Sequence, residues 1–305
     1  MPPRIQGSTP TVATPTAPAT GAPAAPKAAA PTATPPATGW GPKPATPRMD
    51  PKVQPGFDDK HAANAKYAAT TGQLFTNGVS ADDALQGALG DCYAVSGFAA
   101  LANVNPKAIQ DAIKDNGDGT YTVRFYKESL LGLVGRGQEP TYVTVDASMP
   151  TTDGKNALYA HGRDSKELWP MILEKAYAKY DGSYQSAGKG GSPCTVWQAL
   201  TGKSGTMTPN VLRGDGLFDQ MKKHLAAGQP VAATTTMASS KAENGLVSGH
   251  VYAVLGVSEV NGEKRVQLRN PWGYTEPGSD GKNDGLFSLS FDDFKKHFGF
   301  TFLGH

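Results

Sequence analysis

No apolar run in the 305-residue sequence is long enough to cross a bilayer. The opening MPPRIQGSTP also lacks the apolar h-region of a secretory signal. The expectation is a cytoplasmic protein by default, with export routes that bypass such a signal left open. Charge is sparse, at 18% of residues, and 29 Lys and Arg nearly cancel 27 Asp and Glu to a net +2. Nucleic acid or a membrane surface is therefore not expected as the main partner. Cysteine is scarcer still, with only Cys92 and Cys194. A lone disulfide in a long chain without an export signal is a poor prior, so each thiol is read as free. A free cysteine is most simply a small buried hydrophobe, and that reading stands for Cys194 in GGSPCTVW.

Proline is plentiful but unevenly placed: thirteen of 24 fall within the first fifty residues, which hold no acidic residue before Asp50. Ala, Thr and Gly fill most of the rest. Such a segment buries too little apolar surface to offset its ordering entropy, and residues 1–55 are expected to be a disordered tail. The remaining length, roughly 250 residues, suffices for a sizeable core.

Cys92 differs from Cys194 in its surroundings, LQGALGDCYAVSGFAALA. The apolar run after GDC predicts a helix with Asp91 as N-cap and Cys92 in the first turn. Unpaired N–H groups and the helix dipole favour a thiolate there. The glycines of QGALG let the loop bring the Gln86 amide close to the sulfur. A side-chain amide beside the Cys92 backbone N–H has the makings of an oxyanion hole.

A thiol nucleophile needs a base, and the base needs an orienting partner. Of six histidines, His61, His161, His224, His297 and His305 sit in polar or terminal surroundings and read as solvated. His250 opens GHVYAVLGVSEV, a strand followed by the turn Asn261-Gly262 and a second strand, KRVQLRN, ending at Asn270. The hairpin makes His250 and Asn270 neighbours, with the Asn carbonyl expected to accept from imidazole Nδ1–H. Trp272 in NPWG is placed to cover that bond. Strict pairing through a two-residue turn would instead put His250 and Asn270 on opposite faces. A bulge, an odd-length loop, or His250 lying just before the regular strand is therefore expected.

Gln86 with GDC, GH at His250 and RNPWG at Asn270 resemble the protease core of the calpains, papain-like cysteine peptidases. ELWPMILEKAYAKYDGSY with GKGGS, and the closing DGLFSLSFDDFKKHF, extend the likeness across roughly residues 74–305. The resemblance implies an α+β, two-lobed fold: a helical lobe over 56–200 carrying Cys92 and a small strand pair, and an antiparallel β lobe over 201–305 carrying His250 and Asn270. It implies a cysteine endopeptidase acting on protein substrates through a thioester. It departs from the family in having Tyr93 where calpains carry Trp. No segment resembling the C2-like or calcium-binding helical domains follows, so no regulatory subunit is implied.

The resemblance also implies calcium. A first-lobe site would use carbonyls of Thr76 and Gly78 and the carboxylates of Asp83 and Glu167. SADDA alone reads equally as a helix start. A weaker second-lobe set is Glu276, Asp280 and Asp284, with Leu286 where calpains place a glutamate. Two rivals stay open: an acyl transferase of the transglutaminase or arylamine acetyltransferase type, whose triads typically end in Asp, and a non-catalytic module on a protease scaffold.

Overall fold

A computed structural model describes Asp50 and residues 52–128, 138–237, 245–278 and 281–305. The tail expected over 1–55 lies outside the described residues as far as residue 49. Its last residues are anchored: Lys179 Nζ donates to the Asp50 carbonyl at 2.5 Å and Gln54 Nε2 to Asp146 Oδ2 at 2.6 Å.

The class is α+β. The first half runs through β1 (Lys66–Ala69), β2 (Ala84–Leu85), α1 (Cys92–Val104), α2 (Pro106–Ala112), β3 (Ile113–Asp115), β4 (Thr120–Glu128) and β5 (Gln138–Asp146). It continues with β6 (Ser148–Thr151), β7 (His161–Gly162), α3 (Trp169–Asp181), α4 (Tyr184–Ala187) and α5 (Pro193–Thr201). The second half holds β8 (Gly205–Pro209), α6 (Gly216–Ala226), β9 (Val231–Thr235), β10 (Val251–Val260), β11 (Glu263–Arg269), β12 (Leu286–Ser290), α7 (Phe291–His297) and β13 (Phe298–Gly304). Where a strand pair was expected, β4 and β5 form a three-stranded sheet with β3. The second half builds one antiparallel sheet in the order β12-β11-β10-β9-β13-β8. Among the described residues no helix is long and apolar enough to cross a membrane.

Helix α1 is apolar on all sides, and Tyr93 to Ala102 are buried, as expected of a helix enclosed by protein rather than one riding on a surface. Val196 lies so close to Gly97 that an added Cβ would meet it at 3.3 Å, and Trp197 Nε1 donates to the Gly97 carbonyl at 2.9 Å. Its other flank meets the sheet. Ser96 Oγ donates to the Val251 carbonyl at 2.8 Å, and Ala232, Val251, Ala253 and Phe302 join the core around α1. A second core lies beneath the sheet's other face, built from α6, α7 and strand residues such as Tyr252, Val266 and Phe298.

The β10–β11 hairpin resolves the register problem. Val260 pairs with Glu263 across Asn261 and Gly262, both at positive φ, as a two-residue turn of the hairpin type requires. The pairing then shifts by one residue between Val254 and Gly256, so Leu255 bulges and Ala253 faces Arg269. Continued one step, this register puts Asn270 level with Tyr252, on the face His250 shares. His250 itself precedes β10. Two of the three foreseen escapes are thus used together.

Candidate active site

Four segments meet at one groove of about 920 Å³ lined by Gln86, Cys92, His161, His250, Trp272 and Tyr274, among others. Cys92 is the first residue of α1 and is half-buried. Its position depends on the loop before it. A Cβ on Gly87 would overlap the Leu158 and Tyr159 carbonyls, and one on Gly90 would stand 2.7 Å from the Gly188 oxygen. Only glycine allows backbone to pack that closely. The loop also crosses to the second lobe, Gln86 N donating to the Pro271 carbonyl at 2.8 Å.

His250 follows Gly249, whose φ of +58° turns the chain into the strand. Thr235 on β9 grips both sides of it: the His250 N–H donates to Thr235 Oγ1 and Thr235 N–H donates to the His250 carbonyl, each at 3.0 Å. The ring stands edge-on to Tyr252 at 5.0 Å and lies 4.7 Å from the Trp272 ring. Asn270 Nδ2 donates to the Thr275 carbonyl at 2.8 Å, which leaves Oδ1 as an acceptor. That oxygen receives the Trp272 N–H at 3.1 Å and faces His250 Nε2 at 3.0 Å. The imidazole nitrogen at Asn270 is therefore Nε2 and not the expected Nδ1. With Nε2 carrying the proton, Nδ1 is the basic nitrogen left for chemistry.

One further expectation needs correction, and Gln86 makes a contact that was not foreseen. Asp91 makes no side-chain capping bond to α1. It is buried, and both of its oxygens lack a partner among the described residues. The Gln86 amide is turned inward, Nε2 donating to the Leu89 carbonyl at 2.7 Å, and its Oε1 is buried without a partner. The amide is thus engaged within its own loop.

Residues 62–281 match the model of the calpain family cysteine protease. The chain belongs to that family. It is 32% identical over 262 residues to the calpain-type cysteine protease DEK1 of Zea mays, covering 74% of this chain and 11% of the maize protein. Similar matches are Calpain-9 of Rattus norvegicus and the Calpain-2 catalytic subunit of Bos taurus, each 30% identical over 263 residues. The chain spans 36% of each of those two relatives.

The electrostatics of this calpain-family groove favour neutral resting groups. Burial pushes the Cys92 thiol up, and the Asp91 carboxylate adds to that, while the Val251 backbone amide acts against it. Burial pushes His250 down to about 4, partly offset by the bond to Asn270. A charge on either residue is costly alone and becomes affordable only when the other carries its opposite.

Among the described residues no three acidic, His or Cys side chains converge on one point. The first proposed calcium set does bring two carboxylates near each other. Burial raises Glu167 to about 7; the Thr76 N–H, donating to its Oε1 at 3.0 Å, opposes this, and the charges of Asp83 and Asp164 add to it. Asp83 accepts from Ser80 N at 2.7 Å and Ser80 Oγ at 2.8 Å, closing a turn that leads into β2 rather than into a helix. Neighbouring carboxylates are the kind of oxygen donor that a hard cation takes, although the backbone groups shown to contact these two are N–H donors. In the second set, Glu276 accepts from the Gly285 N–H and Asp284 Oδ1 from Leu286 N at 3.1 Å, so both staple the entry to β12. Asp280 lies outside the described residues.

Sequence reasoning missed two things. His161 was read as solvated, yet it lines the groove beside Cys92, its Nδ1 3.1 Å from the Tyr159 carbonyl. Glu174 carries no role in the sequence reading, where it appears only within ELWPMILEKAYAKYDGSY; it is buried facing Asp91. The sole hint was a glutamate at a position of EKAYAK that an amphipathic pattern would assign to the core.

Proposed function

We propose that the protein is a cysteine endopeptidase that cleaves protein substrates in the Cys92–His250 groove. The observation that carries this reading is the His250 Nε2 to Asn270 Oδ1 bond, held on one sheet face by the Leu255 bulge and sharing a groove with Cys92. His250 Nδ1 takes the thiol proton as Cys92 attacks the peptide carbonyl, and the thiolate–imidazolium pair offsets the cost that each charge bears alone. The N-terminus of α1 and the Val251 amide favour the sulfur's negative charge. The oxyanion is held by the Cys92 N–H and by Gln86 Nε2, which leaves the Leu89 carbonyl to do so. His250 then protonates the leaving amine, and a water activated by the same imidazole hydrolyses the thioester. Asn270 keeps the ring oriented, and Trp272 shields the bond between them.

Calcium, when bound, would be held by Thr76, Gly78, Asp83 and Glu167 and would supply positive charge among these carboxylates, next to the strand that leads to Gln86. Asp83 closes the turn just before β2, and Gln86 follows β2 directly. This is the route by which that set bears on the oxyanion loop. A calcium titration against chelator, on wild type and Asp83→Ala, reads it out as a thermal shift and as activity.

The test of the whole reading is labelling by an epoxide inhibitor of cysteine peptidases together with casein cleavage. Both are expected in wild type and absent in Cys92→Ala. Labelling with amine incorporation into protein and no cleavage would assign acyl transfer instead. No labelling of the wild type would favour a non-catalytic module.

A further inference from the structure

Directly behind Cys92, the described structure holds three buried carboxyl oxygens that accept no hydrogen bond of normal geometry: Asp91 Oδ1, Asp91 Oδ2 and Glu174 Oε2. Asp91 and Glu174 are each 1% exposed. Their carboxyl groups lie within hydrogen-bond reach of each other. The fourth oxygen, Glu174 Oε1, accepts the Ala160 N–H at 2.9 Å. Ala160 belongs to the segment that supports the oxyanion loop, where Ala88 N donates to the Leu158 carbonyl at 2.8 Å.

The groups that sense this pair are Tyr67, Tyr159 and Tyr184 around Glu174, and Tyr93, Tyr177 and Cys92 around Asp91, with Tyr184 sensing both. All are neutral acids, and none is a cation. Lys175, next in sequence to Glu174, is committed elsewhere, its Nζ on Asp146 Oδ1 at 2.6 Å and the Ser148 carbonyl at 2.8 Å. Two ionised carboxylates in contact, buried and without a counter-charge, do not persist. One proton between them turns the contact into a strong O–H···O⁻ bond.

We propose that Glu174 is a positioning residue for the nucleophile, sharing one proton with Asp91 and thereby tying the turn that presents Cys92 to α3 and to the segment beneath the oxyanion loop. Burial, the largest effect on both groups, raises Asp91 to about 7 and Glu174 well above the usual carboxylate range. For Asp91 the Glu174 contact, its own backbone amide and the Gln86 amide act against that rise. The two titrate as one unit. The arrangement also explains the missing cap on α1: the Asp91 carboxyl faces α3 and not its own helix. In the working reaction, Glu174 neither touches substrate nor exchanges its proton; it holds the loop that does the work. The catalytic consequence rests on the peptidase reading above, whereas the proton does not.

The variants that separate this from plain packing are Glu174→Gln, which keeps the Ala160 acceptor and offers Asp91 a permanent N–H donor, and Glu174→Ala, which offers neither. In infrared spectra of the full-length protein at neutral pH, the protonated-carboxyl C=O band that remains once the Glu167 contribution, identified with Glu167→Gln, is subtracted is expected to disappear in Glu174→Gln and in Asp91→Asn. Alkylation of Cys92 by iodoacetamide, which needs no substrate, is expected to slow about tenfold in Glu174→Ala, through displacement of the sulfur. Glu174→Gln should restore that rate, and kcat should follow the same pattern with KM near wild type. Absence of the band in wild type, or its persistence in Glu174→Gln, overturns the shared proton. Wild-type alkylation in Glu174→Ala overturns the positioning role. If Glu174→Ala does not fold, slow alkylation in Glu174→Gln overturns it instead. The infrared and alkylation arms decide the inference even in a preparation that cleaves nothing.

Discussion

The two walls of the groove are built to different rules. On the β-lobe wall the polar atoms of the His250–Asn270 pair other than the basic Nδ1 are partnered: Thr235, Thr275 and the Trp272 amide bond to them, and His250 Nε2 faces Asn270 Oδ1. On the helical wall Gln86 Oε1, both Asp91 oxygens and Glu174 Oε2 are buried without one. A satisfied network holds a single arrangement, whereas an unsatisfied one is poised to rearrange or to hold a proton. The base is thus fixed in place before substrate arrives, and the nucleophile's wall keeps the capacity to change its bonding when an oxyanion forms.

The comparison breaks most completely if the base is moved without touching either wall's chemistry. Inserting one residue between Ala253 and Val254 moves His250 one place along β10 and so to the opposite face from Asn270. Casein cleavage is expected to fall as far as in His250→Ala, on the order of 10⁴-fold or more, although every proposed catalytic residue is still present. Circular dichroism would verify that the sheet survives.

On the helical wall, Gln86→Ala is expected to lower kcat by about 10²–10³-fold with KM little changed, measured on a fluorogenic peptide. An unchanged kcat would mean that the amide stays on the Leu89 carbonyl throughout turnover.

On the opposite wall, Asn270→Ala is expected to cost about 10²-fold in kcat/KM through ring misplacement. It should also cost roughly 1–3 kcal/mol of stability, since the Thr275 carbonyl and the His250 ring lose their partner. Thermal denaturation and kinetics together separate the two losses.

The last effect concerns pH. The folded His250 ring stays neutral down to about 4, whereas an unfolded ring protonates near 6.5. Because the folded value is the lower one, stability is intact above pH 6.5 and is lost as pH falls toward 4, over a span on the order of 3 kcal/mol. Melting temperatures across that window should slope in wild type and flatten in His250→Gln. The acid limb of kcat/KM should lie near pH 4, since Nδ1 accepts a proton only while the ring is neutral.

Much of this was legible in the sequence for physical reasons. Glycines on either side of Ala88-Leu89, just ahead of Asp91-Cys92 and an apolar run, signal a close-packed loop and a buried helix, and Gly87, Gly90 and α1 are that. The apolar-rich run from Val251 and the Asn-Gly turn set the hairpin, and counting residues called for an irregularity of the kind found at Leu255. Side-chain direction was less legible. Nε2 rather than Nδ1 meets Asn270 because the ring's rotation is set by Tyr252 and Trp272, which a strand pattern does not encode. Asp91 reads as a cap in one dimension, but in three it meets Glu174, more than eighty positions away, and no local rule couples them.

The strand that completes the sheet is the last of the six to be synthesised. β13 pairs with β9 on one side and with β8 on the other. Until residues 298–304 have left the ribosome, β9 has an open edge and β8 has no sheet to join. Thr235, which grips His250, lies on that edge, and Phe298 stands opposite it. A nascent chain therefore carries Cys92 on a helix whose flank toward Ala232, Val251, Ala253 and Phe302 is still open, before the base it needs has a seat. Folding of the two lobes is ordered in time by chain polarity alone, and an exposed β9 edge is the stage at which misassembly between growing chains is most easily seeded.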